Sequence, residues 1–293
     1  MRRPAPSSSL GGLPVTDRAV EQARKTAQLV MRTLAIAPEQ RRARDLARQA
    51  QLRIPAPAPG ARRVLIVSAR EWPAHVQYEA VIGHGLRLRG ADVRFLTCGG
   101  GLEVCDRATV DEGPAMPCAS CSRYTESAIT DHGFPLQRLS DRWPSGAEAA
   151  WPALDALASA QLADIEDDGL PLGSLIDVPL KWFLRSTSLD DDPRAVAAQR
   201  AMLRSARRIA RAVERTLDEW TPDAVVMVSG RYLFEAVIWA CCARRGIDVV
   251  TYERTVRNEA LVFSREVPAG FLDVAHTLDG PLRALSEQED VEL

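Results

Sequence analysis

Lysine is almost missing from this chain. Lys25 and Lys181 are the only two, while arginine and alanine are used heavily. That bias fits a GC-rich coding sequence, so a single arginine carries little chemical message by itself. Long apolar runs are missing too. No stretch approaches the roughly 18 consecutive apolar residues of a membrane span, so no transmembrane segment is expected. The opening Met1-Arg-Arg-Pro4, followed by Ser7–Ser9, has no apolar h-region, so a secretory signal is not expected either. The expected location is therefore cytoplasmic, and in that reducing compartment disulfides are the poorer explanation of clustered cysteines. No GxGxxG fingerprint or phosphate loop is present, and there is no internal repeat.

The formal charge of −2 gives no global attraction to nucleic acid or membrane. Its distribution is uneven: residues 1–63 carry 13 Arg/Lys against 4 Asp/Glu, a balance of +9, which leaves −11 for the rest. The basic segment has no interleaved aromatics and no recognisable DNA-binding module. It reads as a solvated helix face, and no nucleic-acid partner is expected.

At 293 residues and 46% hydrophobic, the chain can bury a substantial core. Residues 1–60 read as a Pro/Ser/Gly-rich tail, basic helices and a linker stiffened by Pro55, Pro57 and Pro59. A helical pattern runs from Asp17 to about Arg53, with Pro38 interrupting it. Residues 61–293 read as one α/β domain. Val64–Val67 is a short apolar run of the kind buried on both faces of a sheet. A helix over about Val76–Arg89 stops at Gly90, and Asp92–Thr97 is a second strand. A cysteine-rich loop, 98–135, and a helical insertion, 140–222, follow. The insertion holds a long helix opened by Asp190–Pro193, with Met202, Ala206, Ile209, Val213, Leu217 and Trp220 as its apolar stripe. Strand Ala224–Val228, helix Arg231–Arg245 and strand Asp248–Tyr252 complete the pattern. The expected fold is doubly wound, mostly parallel and Rossmann-like, with ligands at the carboxyl ends of its strands.

Four of the six cysteines, Cys98, Cys105, Cys118 and Cys121, are spaced Cys-x6-Cys-x12-Cys-x2-Cys. Thiols concentrated this way usually share a metal or pair with each other. Only Cys118-x-x-Cys121 forms a CxxC knuckle, where a structural zinc normally has two. A wide, loop-borne set suits an iron–sulfur cubane at least as well, and ligand type alone does not separate the two. The intervening segment looks too polar to fold by burial, so a metal–thiolate core is expected to replace a hydrophobic one. Cys241 and Cys242 lie within a helix and read as small buried hydrophobes.

Other candidates sit around the same sheet edge. His75, between the first strand and its helix, can serve as a general base toward a hydroxyl, or simply bond the loop. His84 reads as a packed helix residue, and His132 and His276 have no evident partner. Ser229–Arg231 opens a helix, where backbone amides can hold an anion. Glu253 and Arg254 end the next strand, as a buried pair or as ligand contacts.

Taken together, Val64–Val67, His75, the helix ending Leu88–Val93, Arg94–Gly101, the Cys118/Cys121 pair, Ser229–Tyr232, Val250–Arg254 and Phe263–Arg265 resemble GT-B glycosyltransferases of the bacterial capsule-polysaccharide type. The resemblance spans residues 63–275, the acceptor-side half of such enzymes. It implies that His75 is the catalytic base and that Arg231, Glu253 and Arg254 line the substrate cleft. It also implies a [4Fe–4S] cluster on the four cysteines, with structural zinc as the alternative. The implied partners are a glycosyl acceptor and a nucleotide sugar held by a donor domain that is not visible up to Leu293. The alternative function is a non-catalytic metal-binding interaction subunit that partners a separate glycosyltransferase subunit.

Overall fold

The computed structural model describes residues 38–54, 56–110, 116–145, 151–187, 192–255 and 260–273. The helical pattern expected over residues 17–37, Asp190 and His276 lie outside the described residues. Helix α1 (Pro38–Gln51) precedes strand β1 (Arg63–Val67), helix α2 (Pro73–Leu88) and strand β2 (Asp92–Thr97). Then come α3 (Cys118–Asp131), β3 (Leu136–Arg138), the short helices α4 (Ser159–Ala163), α5 (Leu172–Leu175) and α6 (Asp177–Leu184), and the long α7 (Pro193–Glu219). Strand β4 (Ala224–Val228), helix α8 (Leu233–Arg244), strand β5 (Asp248–Arg254) and strand β6 (Leu261–Ser264) follow.

The six strands form one sheet in the order β3-β2-β1-β4-β5-β6. The first five are parallel, with Val64 opposite both Val93 and Ala224, and β6 runs antiparallel to β5. This is the Rossmann-like α/β architecture that the alternation of strands and helices predicts. Side chains along a strand point alternately to opposite faces, so β1 feeds two cores. Leu65 and Val67 pack with Met202, Ile209, Val213 and Leu217 of α7 and with Phe234 and Val237 of α8. Val64 and Ile66 pack instead with Val76 and Ala80 of α2, Ile129 of α3 and Phe134. A continuous apolar run was needed because neither face of β1 meets water.

Local signals explain the helix ends. Asp192 accepts a bond from the Arg194 N–H at 3.0 Å, with Pro193 at the first helical position. Helix α8 starts at Leu233, two residues later than the sequence suggests, and β3 and β6 were not visible as strands. Helix α1 docks on α3 through Arg44 and Asp131 at 2.6 Å, so the basic appendage touches the main domain.

Two glycines of α2 give opposite expectations. A Cβ on Gly83 would sit 2.8 Å from Phe134 Cζ, whereas one on Gly85 meets nothing within 4 Å. Phe134 is wedged against Phe95 and under Arg87, so its ring has little room to yield. Gly83→Ala should cost about 1–3 kcal/mol by overpacking. Gly85→Ala should gain up to about 1 kcal/mol from helix propensity. Urea denaturation of both variants checks the pair, and equal shifts would contradict this packing.

Candidate functional site

The strand order reverses between β1 and β4, and in open α/β sheets ligands bind at the carboxyl ends of the strands flanking that reversal. A small crevice lies there, lined by Ser68, Arg70, Trp72, His75, Glu79 and Glu235. The segment after β1 supplies the first three, α2 supplies His75 and Glu79, and α8 supplies Glu235.

Arg70 is the centre of this edge and only 3% exposed. Its guanidinium donates to both oxygens of Glu235, at 3.1 and 2.7 Å, and lies 3.3 Å from Asp106. It also stacks 4.4 Å from the Trp72 ring. Burial works against its charge, but the pull of Asp106 and then of Glu235 more than offsets this, so its pKa rises. Burial likewise raises the Glu235 pKa, which Arg70 opposes.

A second relay runs from His75. Tyr252, fully buried at the heart of β5, donates from its hydroxyl to Glu79 Oε1 at 2.9 Å. With that proton committed to Glu79, the hydroxyl oxygen, 3.2 Å from His75 Nδ1, favours the tautomer with the proton on Nδ1. This tautomer leaves Nε2 unprotonated, and among the described residues Nε2 carries no hydrogen bond. Burial, reinforced by the charges of Arg254 and Arg70, lowers the His75 pKa to about 4, so the ring is neutral at pH 7. Burial pushes Glu79 up to about 8, against the bond from Tyr252. Ser68 Oγ beside it lowers Glu79 more than Tyr252 does, yet neither Ser68 Oγ nor Glu79 Oε2 has a partner in good hydrogen-bond geometry. Native proteins seldom leave buried polar atoms unpaired, so a water, an ion or a ligand group has a place beside these two.

The four cysteines adjoin this crevice. Gly99, Gly100 and Gly101 all have positive φ, from 76° to 93°, a run that only glycine adopts without strain. This turn lets the Gly100 N–H donate back to Cys98 Sγ at 3.2 Å, and a Cβ on Gly100 would lie 3.6 Å from Cys118 Sγ. Cys121 Sγ accepts from the Glu71 N–H at 3.2 Å. Burial, and then mutual repulsion with Cys105, Cys121 and Cys118, raises the Cys98 thiol to about 12. Burial and neighbouring Asp106 do the same for Cys105, also to about 12. The four thiols stand within electrostatic reach of one another. Among the described residues, however, no three His, Cys, Asp or Glu side chains are placed to enclose a single metal ion.

Several sequence expectations change here. Cys118 and Cys121 occupy the first turn of α3, so the CxxC pair is a helix start and not a knuckle. Leu102, Val104 and Ala108 are buried, the first two in the larger core, so the segment after Cys98 does fold partly by burial. His84 and His132, read as packed and partnerless, bond each other at 3.2 Å, and His132 also meets Gln77. The Ser229–Arg231 turn packs on its own chain: the Gly270 N–H donates to Ser229 O, and Arg231 donates to Gly270 O at 2.7 Å, while Ser229 Oγ and Arg231 Nε have no partner among the described residues. Glu253 is half-buried and Arg254 exposed, with no ion pair between them among the described residues. Their charges do reach the site, Arg254 acting on His75 and Glu253 on Tyr232. Cys241 and Cys242 are fully buried core residues of α8. Sequence reading missed Arg70, Glu79, Asp106, Glu235 and Tyr252. A charged residue directly after a buried strand and a lone Glu in the apolar α8 were the available signals. No protein-family model matches the chain, and no curated protein matches it significantly.

Removing Arg70 would strand two buried carboxylates. Arg70→Met should therefore cost about 3–5 kcal/mol. Arg204→Ala, which breaks a half-exposed pair with Glu103, should cost no more than about 1 kcal/mol. Chemical denaturation distinguishes them, and near-equal losses would show that the triad is not structural.

Proposed function

We propose that the chain is the acceptor-side half of a GT-B glycosyltransferase that carries a [4Fe–4S] cluster on Cys98, Cys105, Cys118 and Cys121. The observation that carries the reading is His75, held in one tautomer by Tyr252 and Glu79 with a bare Nε2 at the switch-point crevice. That is the arrangement of a base oriented by a second group. The resemblance of residues 63–275 supplies the reaction class.

In this reading an acceptor hydroxyl enters beside His75. Its oxygen bonds to the anomeric carbon of a nucleotide sugar, the bond from that carbon to the phosphate oxygen breaks, and the nucleotide diphosphate departs. The donor is held by a further domain or subunit. His75 Nε2 takes the hydroxyl proton, and the imidazolium so formed is steadied through Nδ1–H by Tyr252 and Glu79. Ser68 and Glu79 Oε2 hold a neighbouring hydroxyl of the acceptor, and Arg254 and Glu253 flank the mouth. Arg231 braces the turn at 268–271.

The cysteine set fits a cluster by its donor chemistry. Backbone N–H groups donate to two of the four sulfurs, Cys98 and Cys121, and hydrogen bonds of this kind tune cluster-bound thiolates. Without a cation beside them, burial keeps Cys98 and Cys105 as neutral thiols at neutral pH. A bound cluster supplies positive charge for the thiolates and a structural or electron-storing centre.

The test is glycosyl transfer by the full chain together with its donor domain or subunit. His75→Ala should reduce transfer by about 10²–10⁴-fold. The wild-type rate should fall on the acid side as His75 protonates near pH 4. It should also climb toward about pH 8, because ionised Glu79 stabilises the imidazolium. Glu79→Gln keeps an acceptor for Tyr252 but cannot ionise, so the alkaline climb should vanish. Undiminished transfer by His75→Ala would overturn the assignment.

A further inference from the structure

We infer that Asp106 is a positioning residue that couples the cysteine centre to the crevice, so that a metal group held by the four cysteines also fixes the walls around His75. The inference rests on the reading that Cys98, Cys105, Cys118 and Cys121 hold such a group. It goes beyond that reading by giving the group a mechanical consequence at a different site.

Three contacts make the connection. Asp106 directly follows Cys105 and directly precedes Arg107, so all three share one short stretch of backbone. A group that fixes the Cys105 sulfur therefore restrains the backbone that carries Asp106. The Asp106 carboxylate itself is almost fully buried. Its Oδ2 accepts the Leu233 N–H at 2.8 Å, and its Oδ1 lies 3.3 Å from Arg70 Nη2. Leu233 is the first residue of α8, where a carboxylate suits the positive end of the helix dipole. Independently, Cys121 Sγ accepts the Glu71 N–H at 3.2 Å, one residue from Arg70. The third contact is the Arg107–Glu71 ion pair at 3.5 Å.

All three contacts end on two short segments. One is the loop after β1, which bears Arg70 and Trp72 and runs into the first turn of α2 with His75. The other is the start of α8, which bears Glu235. These are the opposite walls of the crevice. Long-range coupling travels through such contiguous packed and hydrogen-bonded contacts. A neutral thiol accepts an N–H bond weakly, whereas an anionic sulfur accepts a charge-assisted and stronger one. Converting the four thiols into metal-bound thiolates therefore tightens the Glu71 contact. Gathering the sulfurs also draws Cys105 and the adjoining Asp106 into a fixed place.

Amide hydrogen exchange on the full chain tests this, comparing chelator-treated protein with protein given ferrous iron and sulfide anaerobically, or Zn²⁺ alone. Loading should slow exchange about tenfold or more in 98–125, and also in 70–76 and 229–236. In Asp106→Ala, loading should still protect 98–125 but lose its effect on 229–236. The wild-type comparison needs no variant, so it decides the matter even if Asp106→Ala folds poorly. Protection confined to 98–125 in the wild type, or unaltered protection of 229–236 in Asp106→Ala, overturns the coupling and leaves metal binding intact. No response of any segment to either probe overturns both.

Discussion

Arg70 holds one positive charge between two carboxylates in a place water hardly reaches, 2.7 Å from Glu235 and 3.3 Å from Asp106. Each of these ions alone would pay several kcal/mol in lost hydration. Together they are tolerable only while all three stay in register. The residues come from the loop after β1, the cysteine-bearing loop and α8, so the requirement fixes three separate pieces of chain against one another. The crevice and the thiols take their positions from that agreement.

The same logic explains why chemistry collects at this edge. The crevice lies at the β1–β4 reversal, and polar atoms of Ser68, Arg70 and Glu79 that line it are buried without partners among the described residues. His75, Tyr252 and Glu79 come from α2 and β5, elements that share no strand pairing with each other. Their alignment depends on Tyr252 standing upright from a strand paired on both sides, to β4 and to β6. A rigid sheet thus supports the one ring whose hydroxyl orients the histidine.

Much of the scaffold was legible in sequence because it obeys local rules. Val64–Val67 is apolar without interruption since both of its faces are covered, and the α7 stripe from Met202 to Leu217 repeats at helical spacing. Cys98, Cys105, Cys118 and Cys121 advertised themselves by their density. What stayed hidden depends on residues far apart in the chain. Arg70 meets Glu235 across 165 positions, and His75 meets Tyr252 across 177. No periodicity encodes such pairs. The cysteine segment misled differently: its polar composition concealed Leu102 and Val104, two well-spaced apolar residues that are enough to anchor a loop on an existing core. The contacts of Arg231 with Gly270, 39 positions away, and with Phe271 were hidden, like those distant pairs, by separation along the chain.

The central claim is that the four cysteines next to this crevice hold an iron–sulfur group. Its most direct test is iron and acid-labile sulfide analysis of the full chain purified without oxygen, with its absorption spectrum. The account predicts brown protein, iron and sulfide in [4Fe–4S] proportion, and broad visible absorption that is lost on replacing any one of the four cysteines by alanine. Colourless protein with neither iron nor zinc, and with all four thiols free to react, would contradict it.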